Sequence, residues 1–80
     1  MHQIIIDDKL REIFLTVFED RGLEVTPSTT AADVAGWDSV AHISLIFAIE
    51  EGFGFQFSTS ELDTIQSVGD LQTIINQRSR

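Results

Sequence analysis

Gly36-Trp37-Asp38-Ser39-Val40-Ala41-His42-Ile43-Ser44-Leu45-Ile46-Phe47-Ala48-Ile49-Glu50-Glu51-Gly52-Phe53-Gly54 is the stretch on which the fold turns. It predicts one helix from about Ser39 to Gly52, opened by Asp38-Ser39. On a wheel of about 100° per residue, Leu45, Ile46, Ile49 and Phe53 share one sector, and His42 lies within it. That sector is the expected core stripe. Val40, Ile43 and Phe47 fall on nearly the opposite side, at i, i+3 and i+7. One helix of a small bundle does not easily bury both faces, so the second stripe is a candidate docking surface with Phe47 as its aromatic anchor. Glu50 and Glu51 flank it at the C-terminal end, where two exposed carboxylates oppose the helix dipole by roughly 0.3–1 kcal/mol each. A tolerated local penalty points to function. The plainer alternative is a solvated charged face beside a little exposed hydrophobe.

Working outward, residues 7 to 20 read as an amphipathic helix with Leu10, Ile13, Phe14, Val17 and Phe18 on one face, capped by Asp7 or Asp8 and stopped by Gly22. Residues 23 to 36 lack periodicity and form a long loop, pinned by Leu23, Val25 and Val34; loops of this length in a compact domain are often functional. Phe53, Phe55 and Phe57 alternate with Gly54 and Gln56, as in a strand. With no partner strand in view, the segment is expected to be an extended connector that buries two or three rings. Ser58 with Glu61 forms a capping box for a short third helix, with Leu62 and Ile65 facing inward. Ser67 with Asp70 opens the last helix, whose apolar residues Val68, Leu71, Ile74 and Ile75 run to about Gln77. The expected fold is all-α: a single domain over residues 1–80, built as a small four-helix bundle of three longer helices and one short one.

Composition narrows the function. A chain of 80 residues buries only about 60% of its unfolded surface, which disfavours a deep private active site. No cysteine is present, so disulfides and thiolate metal sites are excluded. Thirteen acidic against five basic residues give a formal net charge of −8, which disfavours nucleic acid and suits a basic protein partner. The apolar run Ile4-Ile5-Ile6 is too short for a signal peptide or a membrane span, and the expectation is a cytoplasmic protein without membrane insertion. Asp7, Asp8 and Asp33 show no calcium-loop spacing, and two histidines forty residues apart form no metal motif.

Ser39 carries the chemistry. It stands beside Asp38 at a helix N-terminus, where the partial positive charge suits a phosphate. His42, at i+3, is the one neighbouring base that a serine nucleophile would need, yet it belongs to the core sector and no oxyanion hole is evident. Ser39 therefore reads as a hydroxyl to be modified; the competing reading is a plain helix cap. Trp37 either packs beneath the loop that presents the serine or contacts a modifying enzyme.

Asp38-Ser39-Val40, followed one helix later by Glu50-Glu51-Gly52-Phe53-Gly54 and then by Val68-Gly69-Asp70-Leu71, resembles the acyl carrier protein family over essentially the whole chain. The resemblance implies 4′-phosphopantetheine bound covalently to Ser39, donated by coenzyme A and installed by a phosphopantetheinyl transferase, with Asp38 helping to position the site. The terminal thiol of that arm would hold an acyl cargo as a thioester. Val40, Ile43 and Phe47 would meet partner enzymes, among them an acyl-loading ligase or transferase and downstream synthases. Glu50 and Glu51 would face the basic patches of those enzymes. Leu45, Ile46 and Ile49 would line the interior that shelters an acyl chain. The protein itself would be a monomer and not an enzyme. Ala41 and Ser44 replace acidic residues usual in fatty acid synthesis, and Val40 replaces the usual leucine. The expectation is accordingly a specialised carrier for a lipid, polyketide or secondary-metabolite pathway. An aminoacyl or peptidyl carrier and an unmodified helical adaptor are the alternatives. The former fits less well, because its typical Gly-Gly-x-Ser pattern is absent.

Overall fold

The computed structural model describes residues 4–78. Among these residues four helices follow one another: α1 (Asp8–Val17), α2 (Ser39–Phe53), α3 (Thr59–Asp63) and α4 (Val68–Arg78), with a 3-10 turn at Ala31–Asp33 in the long loop between α1 and α2. No strand occurs among the described residues, and residues 55–57 form a connector outside any helix or strand. No helix among them is long and apolar enough to cross a membrane.

The core is drawn from each longer helix. Leu10 and Phe14 of α1, Leu45 and Ile49 of α2, and Val68, Leu71 and Ile75 of α4 are fully buried, each stabilising the fold by about 1.5–3 kcal/mol for a side chain of this size. Phe57 joins them from the connector, Phe53 and Phe55 pack partly buried against them, and Val25 and Val34 bring the long loop inward. α1 packs antiparallel on α2. Near the start of α1, the Lys9 ammonium donates 2.8 Å to the Gly52 carbonyl at the end of α2 and lies over the Phe53 ring. Beyond the other end of α1, Phe18 meets Trp37, which immediately precedes the opening of α2.

Several boundary expectations are corrected. α1 ends at Val17, well before Gly22; Phe18 closes it, and Glu19 adopts φ 51°, the left-handed conformation that glycine was expected to supply. Asp7 occupies the N-cap position of α1 without a capping bond from its side chain. Its carboxylate instead accepts from Gln72 Nε2 at 3.0 Å, and its own backbone N–H donates 2.9 Å to the Gln72 side-chain oxygen Oε1. This pairing joins the two ends of the fold through a fully buried glutamine, which the periodicity of α4 did not single out. Leu62, expected inside, is exposed. A helix of only five residues turns one face to the core, and Ile65, just beyond it, takes that role.

The long loop is fastened rather than loose. Val68 N–H donates 2.8 Å to the Thr29 carbonyl and Gly69 N–H donates 2.9 Å to the Pro27 carbonyl, so two otherwise unpaired donors of the first turn of α4 are satisfied by the loop. The Ser58–Glu61 capping box forms as expected. Gly54 closes α2 at φ 76°, where a side chain would be strained.

Candidate functional site

α2 begins where the fastened loop ends. Asp38 is the true N-cap: its backbone is extended and its Oδ1 accepts from the Ala41 N–H at 2.9 Å. Ser39 is the first helical residue and not the cap. Its side chain is exposed, and among the described residues its hydroxyl has no hydrogen-bond partner. The cap is thus supplied next door, which leaves Ser39 Oγ available at the positive end of a 15-residue helix. An adaptor that needed Ser39 only as a cap loses its structural reason.

Trp37 packs beneath the site. Its ring meets Phe14 edge-on with centroids 5.4 Å apart and Phe18 at 5.9 Å, and its indole N–H donates 3.0 Å to His42 Nδ1. The tryptophan couples the loop before Ser39 to α1 and to the second turn of α2. His42 is half-buried in the core sector, as its position on the wheel predicts. With Nδ1 occupied by Trp37 and no acid orienting the ring among the described residues, it has no arrangement for activating Ser39.

Two grooves leave this point. The first is lined by Trp37, Asp38, Ser39, His42, Ile43 and Ile65, together with Ala31 and Gln66. The second, of about 420 Å³, runs between α2 and α3 and is bordered by His42, Ile43, Ile46, Phe47, Glu50 and Leu62. Of the three residues expected to line an acyl shelter, only Ile46 borders this groove; Leu45 and Ile49 are sealed in the core. The exposure of Leu62 explains itself here, because it forms the α3 wall.

The second stripe of α2 is open to solvent: Val40 is 74% exposed, Ile43 56% and Phe47 65%. Three large apolar side chains in a row form an apolar patch that a folded chain does not need for its own stability. The two glutamates at its end differ. Glu51 is exposed, whereas Glu50 is half-buried and its Oε2 accepts from the Phe57 N–H at 2.8 Å. The expected dipole penalty is therefore offset at Glu50 by a structural bond, and at the helix end by the Lys9 ammonium on the Gly52 carbonyl. Sequence reasoning missed both partners because they lie far along the chain. Among the described residues no cluster of His, Cys, Asp or Glu is arranged to hold a metal ion.

The chain matches the family described as "Phosphopantetheine attachment site" over residues 8–75. A Schizosaccharomyces pombe protein assigned as a mitochondrial acyl carrier protein is 39% identical over 54 residues, which cover 68% of this chain and 48% of that protein. The match therefore spans about half the length of that curated relative. The solution NMR structure of holo acyl carrier protein from Geobacter metallireducens aligns with a TM-score of 0.84 at 35% identity, covering 89% of this chain and 82% of that one.

Proposed function

The chain belongs to the phosphopantetheine attachment family, and from that premise we propose that it is an acyl carrier whose arm is attached at Ser39. The observation that carries the assignment is the exposed, unpartnered Ser39 hydroxyl beside a neighbour that already caps the helix. The group of this family, 4′-phosphopantetheine, supplies a terminal thiol that holds an acyl cargo as a thioester.

The protein's residues fit that group. When a transferase acts, Ser39 Oγ forms a bond to the phosphorus of coenzyme A that bears the pantetheine. The hydroxyl proton leaves, and adenosine 3′,5′-bisphosphate departs with the electrons of the broken phosphoanhydride bond. The resulting phosphodiester anion would lie at the first turn of α2, where the Ser39 and Val40 N–H groups and the helix dipole would favour it. Asp38 keeps that turn in register through Ala41 N–H. Trp37, wedged on Phe14 and Phe18, keeps the preceding loop from collapsing over the hydroxyl.

Val40, Ile43 and Phe47, with Glu51 and the outer edge of Glu50, form the face offered to the transferase, to an acyl-loading ligase or transferase, and to synthases. Such partners would present an apolar pocket for Phe47 rimmed by lysine or arginine, which the net charge of −8 would steer into place. The apolar character of the face, with Ala41 and Ser44 where acids would sharpen it, supports a specialised lipid, polyketide or secondary-metabolite pathway. Intact mass after incubation with coenzyme A and a broad-specificity transferase tests the core of this reading. A gain of one phosphopantetheine group, absent in Ser39→Ala, is expected; no gain with several transferases would leave the unmodified helical adaptor. Loading with acyl against adenylated aminoacyl donors then separates the acyl from the aminoacyl carrier.

A further inference from the structure

We propose that His42 is a positioning residue whose Nε2–H donates to an oxygen of the phosphopantetheine arm where the Ser39 groove meets the apolar groove. The inference rests on the reading of Ser39 as the attachment point.

The protonation pattern of the ring follows from its partner. An indole N–H only donates, so His42 Nδ1, 3.0 Å from Trp37 Nε1, must accept. A neutral ring in that arrangement carries its proton on Nε2. Its orientation is set by the same contact: the Trp37 and His42 rings lie within 15° of parallel, and Trp37 is itself held by Phe14 and Phe18. Nε2 bonds to nothing among the described residues. Yet no buried side-chain nitrogen or oxygen there lacks a partner, so Nε2 reaches solvent from an otherwise half-buried ring.

Position supplies the rest. His42 stands one turn after Ser39, and with Ile43 it borders both grooves. Among the described residues it is the only side-chain hydrogen-bond donor bordering the apolar groove: Ile43, Ile46, Phe47 and Leu62 have no polar group, and Glu50 brings a carboxylate. An arm running from Ser39 to that groove carries phosphate and amide oxygens; the Gln66 carboxamide borders only the first groove, so His42 is the donor the arm meets at the junction. A neutral ring locked in one tautomer makes that bond without adding a mobile charge. No proton transfer is involved, so the role is positional.

Long-range proton–nitrogen NMR on the full chain, unmodified and modified at Ser39, reads the tautomer directly, with His42→Gln separating its signals from those of His2. The expected result is the Nε2–H tautomer in both forms, with the Nε2 resonance shifting on modification. In the modified protein, His42→Ala should speed alkylation of the arm thiol by a neutral maleimide several-fold, and His42→Gln, which retains an N–H donor, should restore slower reaction. An Nδ1–H tautomer, an unmoved Nε2 signal, or equal alkylation rates in all three proteins would overturn the assignment. Intact mass is read first. A gain at Ser39 with an unmoved His42 signal sinks this inference alone, whereas no gain sinks the Ser39 reading and this one with it.

Discussion

Gly69→Ala sets local helix preference against tertiary fit, and the two predict opposite signs. Inside a helix, alanine is favoured over glycine by about 1 kcal/mol, so propensity alone expects a more stable α4. In the fold, a Cβ at position 69 would stand 2.8 Å from the Pro27 carbonyl oxygen and 3.4 Å from Pro27 Cβ. The obstacle is backbone rather than a flexible side chain. It is also the oxygen that accepts the Gly69 N–H at 2.9 Å, so moving it away stretches the bond that fastens the long loop. Overpacking of this kind costs about 1–3 kcal/mol, and each weakened backbone bond adds about 0.5–1.5 kcal/mol. Set against a gain of about 1 kcal/mol, the net expectation is a loss of about 1–3 kcal/mol. For a domain of this size that lowers Tm by roughly 4–24 °C. Thermal unfolding followed by far-UV circular dichroism measures it, with Gly22→Ala as the control, since a Cβ there meets only Asp20 Oδ1 at an ordinary 3.7 Å. A Tm for Gly69→Ala equal to or above that of the parent would refute the argument that the loop is locked onto α4.

Three further outcomes are expected. Asp38→Ala removes the acceptor for Ala41 N–H and should cost about 0.5–2 kcal/mol in urea unfolding, while Asp38→Asn, an equally good cap, should recover most of it; if both lose equally, the cap is not what Asp38 contributes. Gln72→Ala strands the Asp7 N–H and should cost at least about 1–3 kcal/mol, against little change for exposed Gln77→Ala in the same titration. Glu61 is held below the usual carboxylate range, first by the Ser58 N–H it accepts and then by Arg78. Its stabilising effect is therefore present above the ordinary carboxylate pKa and fades as pH falls through the lowered one. The stability gap between the parent and Glu61→Gln should be widest near neutral pH and close in acid; a gap constant with pH would contradict the assignment.

Features governed by neighbours a few residues apart were legible in the chain. Helix periodicity placed α2 within a residue or so of its observed span and sorted Leu45, Ile46 and Ile49 from Val40, Ile43 and Phe47, because that sorting depends only on the helical repeat. The Ser58–Glu61 box and the half-buried station of His42 followed for the same reason. Asp38-Ser39 was recognised as a pair, but which of the two caps was settled by one hydrogen bond from Ala41.

What local pattern left open was decided by groups brought together from distant positions. Gln72 took the Asp7 carboxylate that a helix cap would have used, 65 residues away. Phe57 N–H drew in Glu50, and Lys9 answered the C-terminal end of α2 from α1. Leu62 turned outward to wall a groove because a five-residue helix offers the core too little surface to place it inside. Each of these is a polar group finding a partner, or an apolar one finding a neighbour, across the bundle. Such choices depend on three-dimensional proximity, which spacing along the chain does not encode, whereas the faces of a single helix are written in its own repeat.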